Sequence, residues 1–166
     1  MRVYLPSTRK GLRAALEAGQ VEAAVGYAVT PALREWYVEG DLEELEYAAS
    51  TAAARASLRL LAGGDDDWRR VVLAAELPDG DARPAPEVHR AAVRLAGPVP
   101  WRVVESALVD DGSAAPDVRR GAEALHAADA GDGDPEDAAF LVDAVDDHEL
   151  GWYALQELDD LLGGPA

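Results

Sequence analysis

The chain contains no cysteine. Disulfide frameworks, thiolate nucleophiles, Cys-ligated zinc and iron–sulfur clusters are therefore excluded. Isoleucine and asparagine are missing too, and Lys10 is the only lysine, against an abundance of Ala, Gly, Asp and Arg. These biases follow GC-rich codons and point to a GC-rich bacterial genome. No stretch approaches the ~18 apolar residues of a membrane span. The opening MRVYLPST has no apolar run behind a basic region, so no secretory leader is expected and the cytoplasm is the default location. Positive charge is scarce: 15 Lys+Arg against 32 Asp+Glu leave a net charge of −17. A field of that sign repels phosphate backbones and anionic lipid. Nucleic acid and membranes are thus poor partners, and most of the acidity reads as a solvated surface.

What the chain does have is the balance of a folded domain. It has 166 residues, 49% hydrophobic and 28% charged, the size of one ordinary domain. At that size folding removes roughly 70% of the unfolded chain's surface from water, so no metal or disulfide staple is needed. One domain over 1–166 is expected, with 128–134 as an exposed acidic and glycine-rich loop.

Periodicity and punctuation place the elements. Arg2–Leu5 alternates as a strand ended by Pro6, and Ser7 or Thr8 can cap a helix that stops at Gly19. Val25–Thr30 reads as a second strand, and Ala32–Gly40 as a helical turn. Asp41 with Glu44 forms a capping box for a long helix to Ala62, with Leu42, Leu45, Ala49, Ala52, Ala53, Ala56 and Leu60 as its apolar stripe. Gly63 and Gly64 end it, and Asp65, Asp66 and Asp67 form a loop. Arg69–Leu77 and Ala91–Ala96 read as strands in a hairpin-like pair across the loop Pro78–Pro86. Ser106–Asp110 reads as a further strand ending in two carboxylates, followed by a helix over Pro116–Ala127. Asp134 then caps a helix whose buried stripe is Ala138, Leu141, Val142 and Val145. Trp152–Leu155 reads as a last strand before a short helix. The sum is an α+β fold: a mixed or antiparallel sheet of about five strands with helices mainly on one face. A ferredoxin-like core with additions is its most specific form.

The segments RVYLP, TPALREWYVEGDLEELEYAA and ELGWYALQEL resemble an uncharacterised family of actinobacterial proteins of about this length. The resemblance covers nearly the whole chain. It implies a GC-rich bacterial origin and brings no assigned activity.

Catalytic and cofactor signatures are absent. There is no GxxxxGK[ST], no GxGxxG after a strand, no HExxH and no GxSxG, so no cofactor and no metal are assigned. Gly131–Asp134 lacks the frame of a calcium loop. His148 sits among Asp146, Asp147 and Glu149, but successive side chains point apart and do not converge on one ion.

The most informative segment is Thr30–Tyr47, where Arg34, Glu35, Trp36, Tyr37, Glu43, Glu46 and Tyr47 form a candidate ligand or partner surface. Strand ends feeding helices are common ligand positions. The competing reading is that Trp36 and Tyr37 cover the core edge. The function expected is a non-enzymatic binding or protein-interaction domain. The alternative is a small-molecule enzyme using carboxylates and Arg34. Trp36, Trp68, Trp101 and Trp152 are many tryptophans beside loop signals, and a two-fold homodimer is expected on that ground. The charge makes a direct prediction: gel-shift titrations with duplex DNA or RNA at physiological salt show no complex, and a salt-sensitive shift would overturn this.

Overall fold

A computed structural model of the chain describes residues 1–62 and 67–163. Gly63, Gly64, Asp65 and Asp66, read from the sequence as a helix stop and acidic loop, lie outside the described residues.

The first strand, β1 (Arg2–Ser7), is the middle strand of a seven-stranded antiparallel sheet. Both of its faces are covered, so Val3, Tyr4 and Leu5 are all buried despite the alternation. It runs through Pro6, which pairs opposite Val72, instead of ending there. Thr8 caps α1 (Arg9–Ala18) by accepting from the Gly11 N–H, and Gly19 ends it in the left-handed region at φ 73. A short ribbon follows from β2 (Gln20–Val21), which later pairs with β7 (Val99–Pro100). β3 (Val25–Tyr27) is shorter than the alternation suggested, because Thr30 serves instead as the N-cap of α2 (Pro31–Trp36). Asp41 and Glu44 form the expected capping box at the head of α3 (Leu42–Leu61).

The remaining strands are β4 (Val71–Glu76), β5 (Ala82–Pro84), β6 (Ala92–Leu95), β8 (Val104–Val109) and β9 (Gly151–Ala154). Between the last two lie α4 (Ala115–Asp129) and α5 (Pro135–Asp146), and α6 (Leu158–Leu161) closes the chain. α4 thus extends into the segment read as the 128–134 loop. The sheet order is β5-β6-β3-β1-β4-β8-β9, seven strands where about five were expected. The strand of this sheet that the sequence hides is β5, which lies inside the Pro-rich loop; β3 answers the strand read over Val25–Thr30, cut to three residues. The expected pairing of β4 with β6 is not made. β4 is flanked by β1 and β8, which occupy both of its edges, and β6 pairs with β3 and β5. The ferredoxin-like expectation is half realised. β3 and β4 run parallel on either side of β1 and are joined through α2 and α3, which is one split β-α-β unit. The second unit is absent from the sheet, because the place beside β3 is filled by the later strand β6.

Three apolar clusters hold the layers together. On one face of the sheet Val3, Leu5, Val71, Leu73, Ala107 and Val109 pack with Leu12 of α1 and with Leu158 and Leu161 of α6. On the other, Tyr4, Val72 and Ala74 pack beneath Leu45, Ala49 and Ala53 of α3 and Leu33 of α2. The third cluster joins Leu58 and Leu61 of α3 to Val118 and Ala122 of α4 and to Val142 and Val145 of α5. The stripe on α3 therefore rotates onto Ser57, Leu58 and Leu61 in its last turns, which leaves Leu42 and Leu60, expected inside, exposed. α4 and α5 approach closely at Gly121, where an added Cβ would lie 2.6 Å from Val145 Cγ2. Because α4 and α5 lean on α3 and not on the sheet, the β8–β9 end of that sheet face carries no helix. No helix among the described residues is long and apolar enough to cross a membrane.

One buried ion pair ties this arrangement together. Arg70, 2% exposed, forms a bidentate pair with Asp110, 0% exposed, through Nε–Oδ2 and Nη2–Oδ1 contacts of 2.8 Å each. Asp110 Oδ2 also accepts the Arg70 backbone N–H at 2.8 Å, and Arg70 Nη2 donates to the His148 carbonyl at 2.9 Å. Removing one member of such a pair strands a buried charge. Asp110→Ala therefore lowers unfolding free energy by about 3–5 kcal/mol in urea titrations. Asp143→Ala, at an exposed contact with Arg55, costs no more than about 1 kcal/mol.

Candidate functional site

The uncovered end of the sheet is the floor of a cleft of 370 Å³. Sheet register builds that floor. Tyr4 stands opposite Ala74, Ala74 opposite Ser106, and Ser106 opposite Ala154, while the next row runs Val72, Leu108, Trp152. All of these side chains share one face, because successive residues of a strand alternate. Small side chains at Ala74 and Ser106, between Tyr4 and Trp152, make the face concave. One wall is α3, which presents Glu43, Glu46, Tyr47, Ser50 and Thr51 at helical spacing. The other is the α5–β9 connection, with Asp146, His148, Glu149 and Leu150, continuing to Trp152. Trp152 is 65% exposed and Tyr47 62% exposed, so two aromatic rings stand open on opposite walls.

Arg2 and Arg70 mark the two ends, about 20 Å apart along the strand direction at ~3.3 Å per residue. Neither guanidinium is free. Arg2 donates to Glu105 Oε2 at 2.7 Å and lies 3.6 Å from Glu76. Glu105 is the extra residue of a β-bulge, where the register jumps from Ala74–Ser106 to Ala75–Val104; bulges re-aim side chains in this way. Arg70 is held by Asp110. Burial, reinforced by the nearby Glu46 carboxylate, pushes the Tyr4 phenol above its ordinary pKa. Ser106 is 5% exposed, and its hydroxyl has no hydrogen-bond partner among the described residues; the hydroxyl oxygen itself still reaches solvent, since Arg9 Nε is the one buried side-chain polar atom without a partner among them.

His148 does not join Asp146, Asp147 and Glu149 in a shared site. Its Nε2 lies 2.7 Å from Asp117 Oδ2, and Asp146 pairs with Arg55. The His148 contact, with help from Arg120, holds the Asp117 carboxyl below its usual range. Among the described residues no three His, Asp or Glu side chains are placed to hold a metal ion.

The structure divides the candidate surface read from the sequence. Glu43, Glu46 and Tyr47 line the cleft. Tyr37 lines a second, wider groove of 870 Å³ across α3, with Leu33, Arg55, His89 and Arg90, and shares Glu43 and Tyr47 with the first. Trp36 is 61% exposed and lies under the Arg90 guanidinium, 3.6 Å from the ring centroid. Arg34 and Glu35 are exposed on α2 and line neither space. The convergence of Arg34 with pocket carboxylates, on which the enzyme alternative rested, is not made. Of the other tryptophans, Trp68 and Trp101 pack partly buried against the clusters. Sequence reasoning missed Arg2, Tyr4, Arg70, Ser106 and Trp152 as site residues, because strand pairing alone brings them together.

The model of DUF6912, a family of unknown function, matches residues 1–162. The chain belongs to this family. The DUF6912 match agrees with the expected resemblance and spans every residue that lines the cleft. Comparisons with curated proteins and with solved structures found no match.

His89, in the wider groove, accepts the Ala91 N–H on Nδ1 at 3.0 Å. Burial, then the charges of Arg90 and Arg55, depress its pKa. A depressed folded-state pKa means that the unfolded chain takes up the proton first as pH falls below about 6.5. Stability held above that pH is then lost on acidification through the folded-state value. His89→Gln flattens the dependence of the urea midpoint on pH between neutrality and pH ~5.5; an unchanged slope would show that His89 does not contribute.

Proposed function

We propose that this DUF6912 chain is a non-enzymatic binding protein that takes a small organic molecule in the cleft between α3 and the β8–β9 end of the sheet. The observation that carries this reading is a concave surface, flanked by Tyr47 and Trp152, whose floor holds Ser106, a residue 5% exposed whose hydroxyl has no protein partner among the described residues. Ligand sites are concave, mostly apolar spaces of roughly 300–1,000 Å³ with a few placed polar groups. With no protein partner among the described residues, the Ser106 hydroxyl is open to bond a ligand in place of water. Covalent catalysis is disfavoured, because an activated serine needs a base within hydrogen-bond reach and Ser106 has none among the described residues. The one cleft imidazole, His148, is engaged by Asp117.

The test is a ligand-observed NMR screen of a fragment library against wild type and Ser106→Leu. Because Ser106 is only 5% exposed, the variant's melting curve is recorded alongside, and Ser106→Ala, which removes the hydroxyl without adding bulk, is titrated as well. Fragments that bind wild type lose roughly tenfold or more in affinity for the leucine variant, the effect of a filled floor and a lost hydrogen bond of about 1.4 kcal/mol together. Hits that bind both proteins equally would place the site elsewhere.

A further inference from the structure

We infer that the ligand of this cleft is an organic cation: an ammonium, amidinium or guanidinium group carried on a small apolar body. The inference rests on the cleft being the binding site and adds the chemistry of what enters it.

The charges in the cleft are unevenly engaged. Both of its arginines are already neutralised, Arg2 by Glu105 with Glu76 nearby, and Arg70 by Asp110. Asp146 is matched by Arg55. Glu43, Glu46 and Glu149 line the same space, and among the described residues none of them has an ion-pair partner within 4.0 Å. An entering anion would meet three carboxylates without an ion-pair contact, of which only Glu46 feels Arg2 through space, and no free cation. An entering cation would meet the reverse.

Three further features fit the same ligand. Tyr47 and Trp152 offer open ring faces on opposite walls, and a cation over an aromatic face is attracted by its quadrupole. The Ser106 hydroxyl at the floor has lone pairs free to accept an N–H from the ligand, which is the second and independent sign that the acidic rim faces a guest and not only solvent. At long range the net charge of −17 raises the local concentration of cations near the mouth. The apolar floor at Ala74 and Leu108, together with the ring faces, accommodates the uncharged body.

The experiment titrates the isotope-labelled full chain with three probes of similar size at matched ionic strength: phenethylamine, 3-phenylpropionate and phenethyl alcohol. The readout is the indole N–H signal of Trp152, assigned by its loss in Trp152→Phe. Phenethylamine moves that signal saturably and binds roughly tenfold more tightly than the other two probes. In Glu46→Gln/Glu149→Gln the amine loses that advantage, while the alcohol binds as before. Neither carboxylate makes a hydrogen bond or ion pair among the described residues, though Glu46 acts on Arg2 and Tyr4 through space; the double variant's melting curve verifies its fold. If the alcohol or the carboxylate binds at Trp152 as tightly as the amine, the cation assignment is overturned and the cleft stands. If no probe moves the Trp152 signal, both the assignment and the cleft are overturned.

Discussion

The Arg70–Asp110 pair is the contact on which the rest of the structure depends. It sits where β4 begins and β8 ends, and it is doubled by backbone bonds in both directions: the Arg70 N–H to the Asp110 carboxylate and the Asp110 N–H to the Arg70 carbonyl. A slip of one residue in β8 would turn Asp110 to the opposite face, into the apolar cluster beneath α1, and leave Arg70 without its partner. The pair thereby sets which residues of β8 look toward α3, and so places Ser106 and Leu108 in the cleft. A further bond, from Arg70 Nη2 to the His148 carbonyl, fixes the turn between α5 and β9 and with it the far wall. A second polar contact works alongside. The Ser57 hydroxyl donates to the Ser7 carbonyl at 2.7 Å and accepts the Val71 N–H at 3.0 Å, so α3 is pinned to the ends of β1 and β4 at the same end of the sheet.

The cleft follows from an asymmetry of layers. The first half of α3 lies on β3, β1 and β4, while its second half turns its apolar side to α4 and α5. A single helix that serves two clusters cannot also cover β8 and β9. The sheet face left bare carries Trp152, 65% exposed, together with Leu108 and Ser106. The carboxylates of α3 that point over it belong to the face of the helix that neither cluster uses.

Much of the fold was legible in the sequence because the signals are local. The Asp41–Glu44 capping box, the Gly19 stop, the Asp134-Pro135 helix start and the aromatic strand at Trp152 each act within a few residues. Strand pairing was not legible in the same way. The partners of β4 lie some 30 to 70 positions away along the chain, and nothing in the Val-rich run from Val71 distinguishes them from β6. β5 was hidden because Pro84 and its neighbours read as loop; proline is tolerated there because the strand is the sheet edge. The site divides on the same principle. Glu43, Glu46 and Tyr47 were accessible because they repeat along one helix face. Arg2, Arg70 and Ser106 reach them only through the sheet. Arg34 and Glu35 entered the candidate surface through their proximity in the chain to Trp36 and Tyr37; the structure sets them on α2 facing solvent, outside both spaces.

The close approach at Gly121 has a consequence for how chains of this family can diverge. With 2.6 Å between a would-be Cβ and Val145 Cγ2, and Leu58 Cδ2 only 3.6 Å away, the three positions share one fixed volume. A lineage that acquires a side chain at 121 must give up volume at 145 or at 58 to keep α4 and α5 in contact, so substitutions at these sites are expected to arrive in compensating pairs. Gly19 is under a different constraint. It is held only by its backbone angle, with nothing within 4 Å of an added Cβ, and it can drift to asparagine without any matching change elsewhere.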